Sequence, residues 1–157
     1  MKKFKLDIQY DYDFALIGIC STEKEHRICW LLNAKLGMEL QKAENLCLKN
    51  TEINFAEFSM YAFTNSDECS EYYLLRNEGT RVKPSEINLS YQISIPTKEP
   101  LKEWLILEEK QCDYFLLLKS ESSNTEKILS KLLEIPAVIT AYSIDPTKLK
   151  SKQNLLF

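Results

Sequence analysis

Asp11 and Asp13 are the first residues of the chain whose types and spacing could support chemistry. Two residues apart on a strand, their side chains would share one face. Adjacent carboxylates can bind a divalent cation or take different pKa values for acid–base work. A solvated strand face or a bend explains the same spacing, because no glycine-rich metal loop follows and no third ligand is evident in the sequence. We therefore expect no metal site and no cofactor.

His26, Trp30 and Asn33 form a second candidate site. The spacing i, i+4 and i+7 places them along one stripe of a helix. Aromatic and hydrogen-bonding groups together are typical of surfaces that bind a small molecule or a protein. The alternative is a boundary face with Trp30 half-buried. His26 is the single histidine, and no serine or cysteine nucleophile motif accompanies it, so it is weak support for catalysis.

The five cysteines favour structural roles in a reduced compartment. Their number is odd and no two have the C-x-x-C spacing that zinc sites and redox motifs use. Cys29 and Cys112 lie within apolar runs, as small core residues do.

Composition excludes several classes of function. The net charge of −3 gives no electrostatic attraction for a nucleic-acid backbone. The chain has only three scattered glycines, too few for a phosphate-cradling loop. No apolar stretch reaches the roughly 18 residues of a membrane span, and the start of the chain lacks the apolar region of a signal peptide. We expect a cytoplasmic protein that binds neither nucleic acid nor membrane.

The elements that would position these residues are alternating strands and two helices. Residues 14–20 predict a buried strand, and a helix should span about 23–36, with a capping box at Thr22 and Glu25 and a C-cap at Gly37. Segments 38–43 and 45–50 suggest short strands or a hairpin. Residues 58–65 and 71–77 form the strands of a predicted meander.

The last third of the chain has the clearest pattern. Residues 112–119 predict a buried strand, Asn124 caps a helix that ends before Pro136, and residues 137–145 predict a further strand. Two strand–helix–strand units predict a single α+β domain over 1–157. We expect a mostly antiparallel sheet with two helices on one face, ferredoxin-like (split βαβ), with an inserted β-meander. Residues 78–102 should be an irregular excursion, and the apolar tail 146–157 should dock.

Residues 106–114, ILEEKQCDY, place polar side chains between two apolar runs. Ile106 and Leu107 should close one apolar segment, Glu108 to Gln111 should form an exposed turn, and the following residues should enter the core. Asp113 is either part of a binding site or a residue that accepts a hydrogen bond from a backbone N–H at the strand start.

The same segment resembles the signature of the IPExxxVDY family of small bacterial proteins. Leucine replaces its proline at 107 and cysteine replaces its valine at 112. The stretches YDFALIGI, WLLNAKLG and AYSIDPTKLKSKQNLLF are similar to the family as well. The resemblance implies no activity, cofactor or catalytic residue.

Three functional hypotheses follow. The leading one is a non-enzymatic binding or assembly module whose partner is a protein or a second copy, as a homodimer. The alternative is a small-ligand-sensing regulatory domain, by analogy of fold alone. The third is an enzyme that uses Asp11, Asp13, His26 or Asp113, which would need these groups to lie close together.

Overall fold

The computed structural model describes residues 13–49, 55–82, 101–120 and 124–157. These residues form two antiparallel sheets and two helices. The helices are α1 (Glu25–Leu36) and α2 (Thr125–Leu133). The ten strands of the described residues are β1 (Ala15–Cys20), β2 (Gln41–Lys42), β3 (Leu46–Lys49), β4 (Phe55–Phe58), β5 (Met60–Asn65), β6 (Ser70–Arg76), β7 (Glu78–Val82), β8 (Lys102–Trp104), β9 (Tyr114–Lys119) and β10 (Thr140–Ile144).

The larger sheet has six strands in the order β10-β1-β9-β6-β5-β2. All of its pairings are antiparallel. The strands β1 and β9 lie inside the sheet and are almost continuously apolar, because both of their faces are covered. β1 lies between β9 and β10 and is antiparallel to both. β9 and β10, which precede and follow α2, therefore run parallel to each other without being adjacent.

The smaller sheet has the order β3-β4-β7-β8 and is also antiparallel. The chain passes from one sheet to the other at two single residues, Ser59 between β4 and β5 and Asn77 between β6 and β7. The close approach of β4 and β7 requires Gly79, because a Cβ there would clash with the Glu57 carbonyl oxygen.

Two hydrophobic cores lie on the two faces of the larger sheet. The first packs α1 and α2 against one face, with Ile28 and Leu132 fully buried. The second fills the space between the sheets, and it includes Phe58, Phe115 and, from the tail, the fully buried Leu155. Two short 3-10 helices, Pro146–Lys148 and Lys152–Leu155, carry the tail over this second core.

The predicted α+β class, with two helices and mostly antiparallel pairing, is confirmed. The meander is confirmed as well, because β5 and β6 pair directly. Gly37 ends α1 with a left-handed backbone, at φ 66°, and the Asn124 side chain accepts a hydrogen bond from the Lys127 N–H at the start of α2.

Two local predictions are wrong, and a third is decided between its alternatives. The capping box at Thr22 does not form, because α1 begins at Glu25 after Lys24, which provides no side-chain cap. Of the two possibilities for residues 38–50, the structure shows short strands and not a hairpin, since β2 and β3 join different sheets. The segment 78–102 was predicted to be irregular, but its two ends form the paired strands β7 and β8. Residues 83–100, with the weak strand expected at 89–93, lie outside the described residues.

Candidate functional site

The segment Ile106–Tyr114 crosses from the smaller sheet to the larger one. Ile106 is fully buried, whereas Leu107 is 57% exposed and therefore does not extend the apolar segment as predicted. A 3-10 helix, Leu107–Glu109, makes the expected turn before the chain enters β9. Backbone groups and side chains of this segment contact four separate parts of the fold.

Asn77 is the centre of the contacts that hold the segment. This residue is fully buried, and its amide nitrogen donates to the carbonyl oxygens of Glu109 and Cys112, each at 2.9 Å. Its amide oxygen accepts from the N–H of Ile106 at 2.9 Å. Its backbone carbonyl accepts from the N–H of Leu105 at 2.8 Å. A buried polar side chain with all these bonds satisfied fixes the course of the turn.

Asp113 ties the segment to the end of β1. One carboxylate oxygen accepts from the backbone N–H of Ser21 at 2.8 Å, and the Asp113 N–H donates to the Ile19 carbonyl at 2.9 Å. This contact is the backbone hydrogen bond that the sequence predicts for Asp113 as a structural residue. The adjacent Tyr114 hydroxyl donates to the Glu23 carbonyl at 2.6 Å, and burial raises the pKa of Tyr114 to about 12.

Glu108 ties the segment to the C-terminal tail. Its carboxylate accepts from both the N–H and the hydroxyl of Ser151, each at 2.7 Å. Partial burial raises the pKa of Glu108, but the hydrogen bonds from Ser151 outweigh this effect and hold the pKa below its ordinary value. Asn154 adds a second tie, because its side-chain nitrogen donates to the Leu105 carbonyl at 2.8 Å.

Tyr142 of β10 joins a cluster of polar side chains at the same turn. Its hydroxyl donates to the Glu109 carboxylate at 2.6 Å and accepts from the Gln111 amide at 2.8 Å. The Cys112 sulfur lies 3.0 Å from the same hydroxyl oxygen, and the Cys20 thiol donates to the Gln111 carbonyl at 3.1 Å. The arrangement brings two thiols, a phenol and a carboxylate together.

Electrostatics argue against nucleophilic chemistry in this cluster. Burial raises the pKa of Cys112 to about 12, and it raises the pKa of Cys20 and of Tyr142 as well. A nucleophilic cysteine requires a lowered pKa, because the thiolate is the reactive form. Both thiols are therefore protonated at neutral pH and act as small packing and hydrogen-bonding groups.

The stripe on α1 consists of one residue with a structural role and two exposed residues. Asn33 is structural, since its amide nitrogen donates to the Leu40 carbonyl at 3.0 Å and its oxygen accepts from the Leu40 N–H at 2.9 Å. His26 is exposed, and Trp30 is 59% exposed with the Arg27 guanidinium 5.0 Å from its ring centre. His26 and Trp30 thus remain available to a partner, while Asn33 holds the loop after α1.

Two residues of the enzyme hypothesis, Asp13 and Asp113, lie at opposite ends of the antiparallel pair β1 and β9. Asp13 and Lys119 line two clefts of about 540 and about 360 Å³. His26 lies on α1 and Asp113 at the start of β9. Asp11 lies outside the described residues. Within the described ranges no group of three or more His, Cys, Asp or Glu side chains could hold a metal ion.

Sequence reasoning missed Asn77 and Tyr142, the two residues that organise the segment. The predicted strand 71–77 contains Asn77, but nothing in the pattern marks the residue as buried. Tyr142 alternates correctly within its strand, yet its partners, Glu109 and Gln111, come from a distant part of the chain.

Comparisons with known proteins add no relative: no family model, no curated protein and no solved structure matches the chain. The resemblance to the IPExxxVDY signature therefore stays a prediction. No helix among the described residues is long and apolar enough to cross a membrane.

Proposed function

We propose that the chain is a cytoplasmic, non-enzymatic binding module that associates with a second copy of itself. One contrast carries the proposal. The polar groups of the segment Ile106–Tyr114 are occupied in holding the fold, whereas large apolar side chains lie on the outside. Trp30 on α1 is 59% exposed, Leu133 on α2 is 53% exposed, and Ile139 before β10 is 70% exposed. Aromatic and aliphatic side chains in such positions are the usual anchors of protein interfaces.

A ferredoxin-like topology is part of the proposal. The order β10-β1-β9-β6 supports it, with α1 after β1 and α2 between the parallel strands β9 and β10. In this interpretation the strands β2 to β5 are inserted between α1 and β6. Domains of this type commonly bury a sheet edge or a helix face against a partner.

The test of self-association is the mass in solution, measured by light scattering after size exclusion over a series of concentrations. A dimer gives twice the 18.3 kDa mass of the chain at high concentration. A constant mass of 18.3 kDa at all concentrations would exclude the homodimer. In that case affinity capture from native lysate, with the variant Trp30→Ala as control, tests a different protein partner. A partner that both forms capture equally would argue against the α1 surface.

A small-ligand sensor is the second candidate. The cleft of about 360 Å³ beside Asp13 and Lys119 favours it, because it combines opposite charges with the apolar Phe14 and Phe157. Thermal-shift measurements against a metabolite library test this function. A ligand that stabilises the protein but not the variant Lys119→Ala would support it, and the absence of any shift across the library would remove it.

A further inference from the structure

The edge strands of the two sheets differ in how they are protected. Among the described residues the edges are β10 and β2 in the larger sheet and β3 and β8 in the smaller one. Three of these edges carry charged side chains, namely Lys42 in β2, Lys49 in β3, and Lys102 with Glu103 in β8. β10, with the sequence TAYSI, has no charge and no proline. Charged residues and prolines are the usual protection of an edge against pairing with another chain, and β10 lacks both.

The unprotected edge is also held rigidly. The hydroxyl of Tyr142, at the middle of β10, bonds Glu109 and Gln111 on the sheet face that carries the second core. At the start of the strand, the N–H of Ile139 donates to the Cys20 carbonyl at 2.9 Å. A strand that is already ordered loses little conformational entropy when it pairs. β10 therefore offers its outward N–H and C=O groups in a fixed geometry.

The side chains along the edge suit a partner of the same composition. Ile139 is 70% exposed, and Thr140 and Ser143 are exposed hydroxyl residues. Two antiparallel copies of this strand would bring no like charges together. They would satisfy each other's backbone groups and would cover the exposed isoleucine.

We infer that β10 pairs antiparallel with β10 of a second copy, about a twofold axis perpendicular to the sheet. This inference rests on the self-association proposed above and assigns its interface. Centred on Ala141, the pairing sets Ile139 opposite Ser143 and Thr140 opposite Tyr142 of the other copy. The two larger sheets become one continuous sheet, with all four copies of the helices on one side.

The paired surface of this register is small, because β10 has only five residues. Pairing through one short strand buries less than the roughly 800 Å² per partner of a stable interface. We therefore expect a dimer that dissociates in the micromolar range.

The first experiment adds a charge to the edge. Ile139→Lys and Ser143→Lys should each raise the dissociation constant of the dimer about tenfold or more, because a lysine at the pairing edge must be desolvated. Gln41→Lys is the matched control, since Gln41 is exposed on β2, the opposite edge of the same sheet. Thermal unfolding followed by circular dichroism should show all three variants folded. Dissociation constants come from light scattering of the full chain.

The outcomes separate the inference from the proposed function. A dimer weakened at β10 and not at Gln41 supports both. A dimer that none of the lysine variants weakens overturns the β10 interface but leaves self-association intact. A chain that is monomeric throughout overturns both.

Cysteine crosslinking tests the register. In a background with Cys47→Ser and Cys69→Ser, which removes the exposed native thiols, a mixture of Ile139→Cys and Ser143→Cys chains should form a disulfide-linked dimer on oxidation. Each chain alone should crosslink much more slowly, because only unlike positions lie opposite each other. Equal crosslinking in all samples, or none in the mixture, would overturn the antiparallel register.

Discussion

Replacing Asn77 tests the conclusion that the segment Ile106–Tyr114 is a structural unit. Asn77→Ala removes three hydrogen bonds of 2.9 Å from a fully buried side chain. The N–H of Ile106 and the carbonyl of Cys112 lose this partner inside the protein, where an unpaired group costs about 1–3 kcal/mol. The Glu109 carbonyl is less buried and water can replace part of its bond. We expect the free energy of unfolding to fall by about 4 kcal/mol.

The assay is urea unfolding followed by far-UV circular dichroism, with linear extrapolation to water. For a chain of this length the loss corresponds to a decrease of the melting temperature by about 10 °C. Asn45→Ala is the control, because Asn45 is exposed and accepts its bond from the Lys42 amine. Its effect should stay within about 0.5 kcal/mol. If Asn77→Ala cost less than about 1 kcal/mol, the segment would not depend on this amide and the reasoning would be refuted.

Asn77→Asp separates the hydrogen bonds from the volume of the side chain. The variant keeps the acceptor for the Ile106 N–H but turns an oxygen towards the carbonyls of Glu109 and Cys112. Burial and these carbonyls disfavour the charged form, so the pKa of the new carboxyl should be raised in the folded state. Its folded pKa would exceed its unfolded pKa, so stability should be lost as the pH rises through the folded value. A variant equally stable at pH 4 and pH 7 would contradict this assignment.

Three further predictions concern the contacts around the segment. Gly18→Ala should lower the free energy of unfolding by about 1–3 kcal/mol, since the added Cβ would lie 2.6 Å from the Cys112 sulfur. Combining it with Cys112→Ala should recover part of this loss. If the effects of the two substitutions simply added, the contact would be contradicted. The Glu108–Ser151 bonds lower the pKa of Glu108, so their small contribution to the free energy of unfolding should be present above pH 4.5 and lost as the pH falls through the folded pKa. If the stabilities of wild type and Ser151→Ala showed the same dependence on acid pH, this prediction would be refuted. In a native thiol assay two cysteines should react quickly, and a third fast thiol would contradict the burial of Cys20, Cys29 and Cys112.

Local patterns predicted the elements of this fold well. Alternation and apolar runs located β1, β5, β6 and β9, and Asn124 and Gly37 marked helix ends, because these signals arise from neighbours in sequence. The division into two sheets could not be predicted in this way. It depends on single-residue bends at Ser59 and Asn77. The predicted strand 58–65 runs through Ser59, and the predicted strand 71–77 ends at Asn77 before a segment predicted to be irregular, so neither pattern indicates a second sheet.

The candidate site shows the same limit for side chains. Asp113 had a local explanation and the expected kind of contact, a bond to the backbone N–H of Ser21. Asn77 and Tyr142 act through residues about 30 positions away, at hydrogen bonds that only the assembled fold creates. Asn33 was predicted as part of a binding stripe, but its bonds to Leu40 could not be anticipated from helical spacing.

Tyr142 connects the structural segment Ile106–Tyr114 with the proposed dimer interface at β10. The bond from the Tyr142 hydroxyl to Glu109, within the segment Ile106–Tyr114, fixes β10 from the sheet face that carries the second core. The outer side of β10 has no charge or proline to prevent pairing. Tyr142→Phe removes the hydroxyl that bonds Glu109 but keeps the backbone groups of the edge and the aromatic ring that would face Thr140 of the other copy. A change in dimer affinity in this variant would therefore arise from the position of the strand and not from a lost contact. The segment positions the edge without being part of the surface that the edge presents.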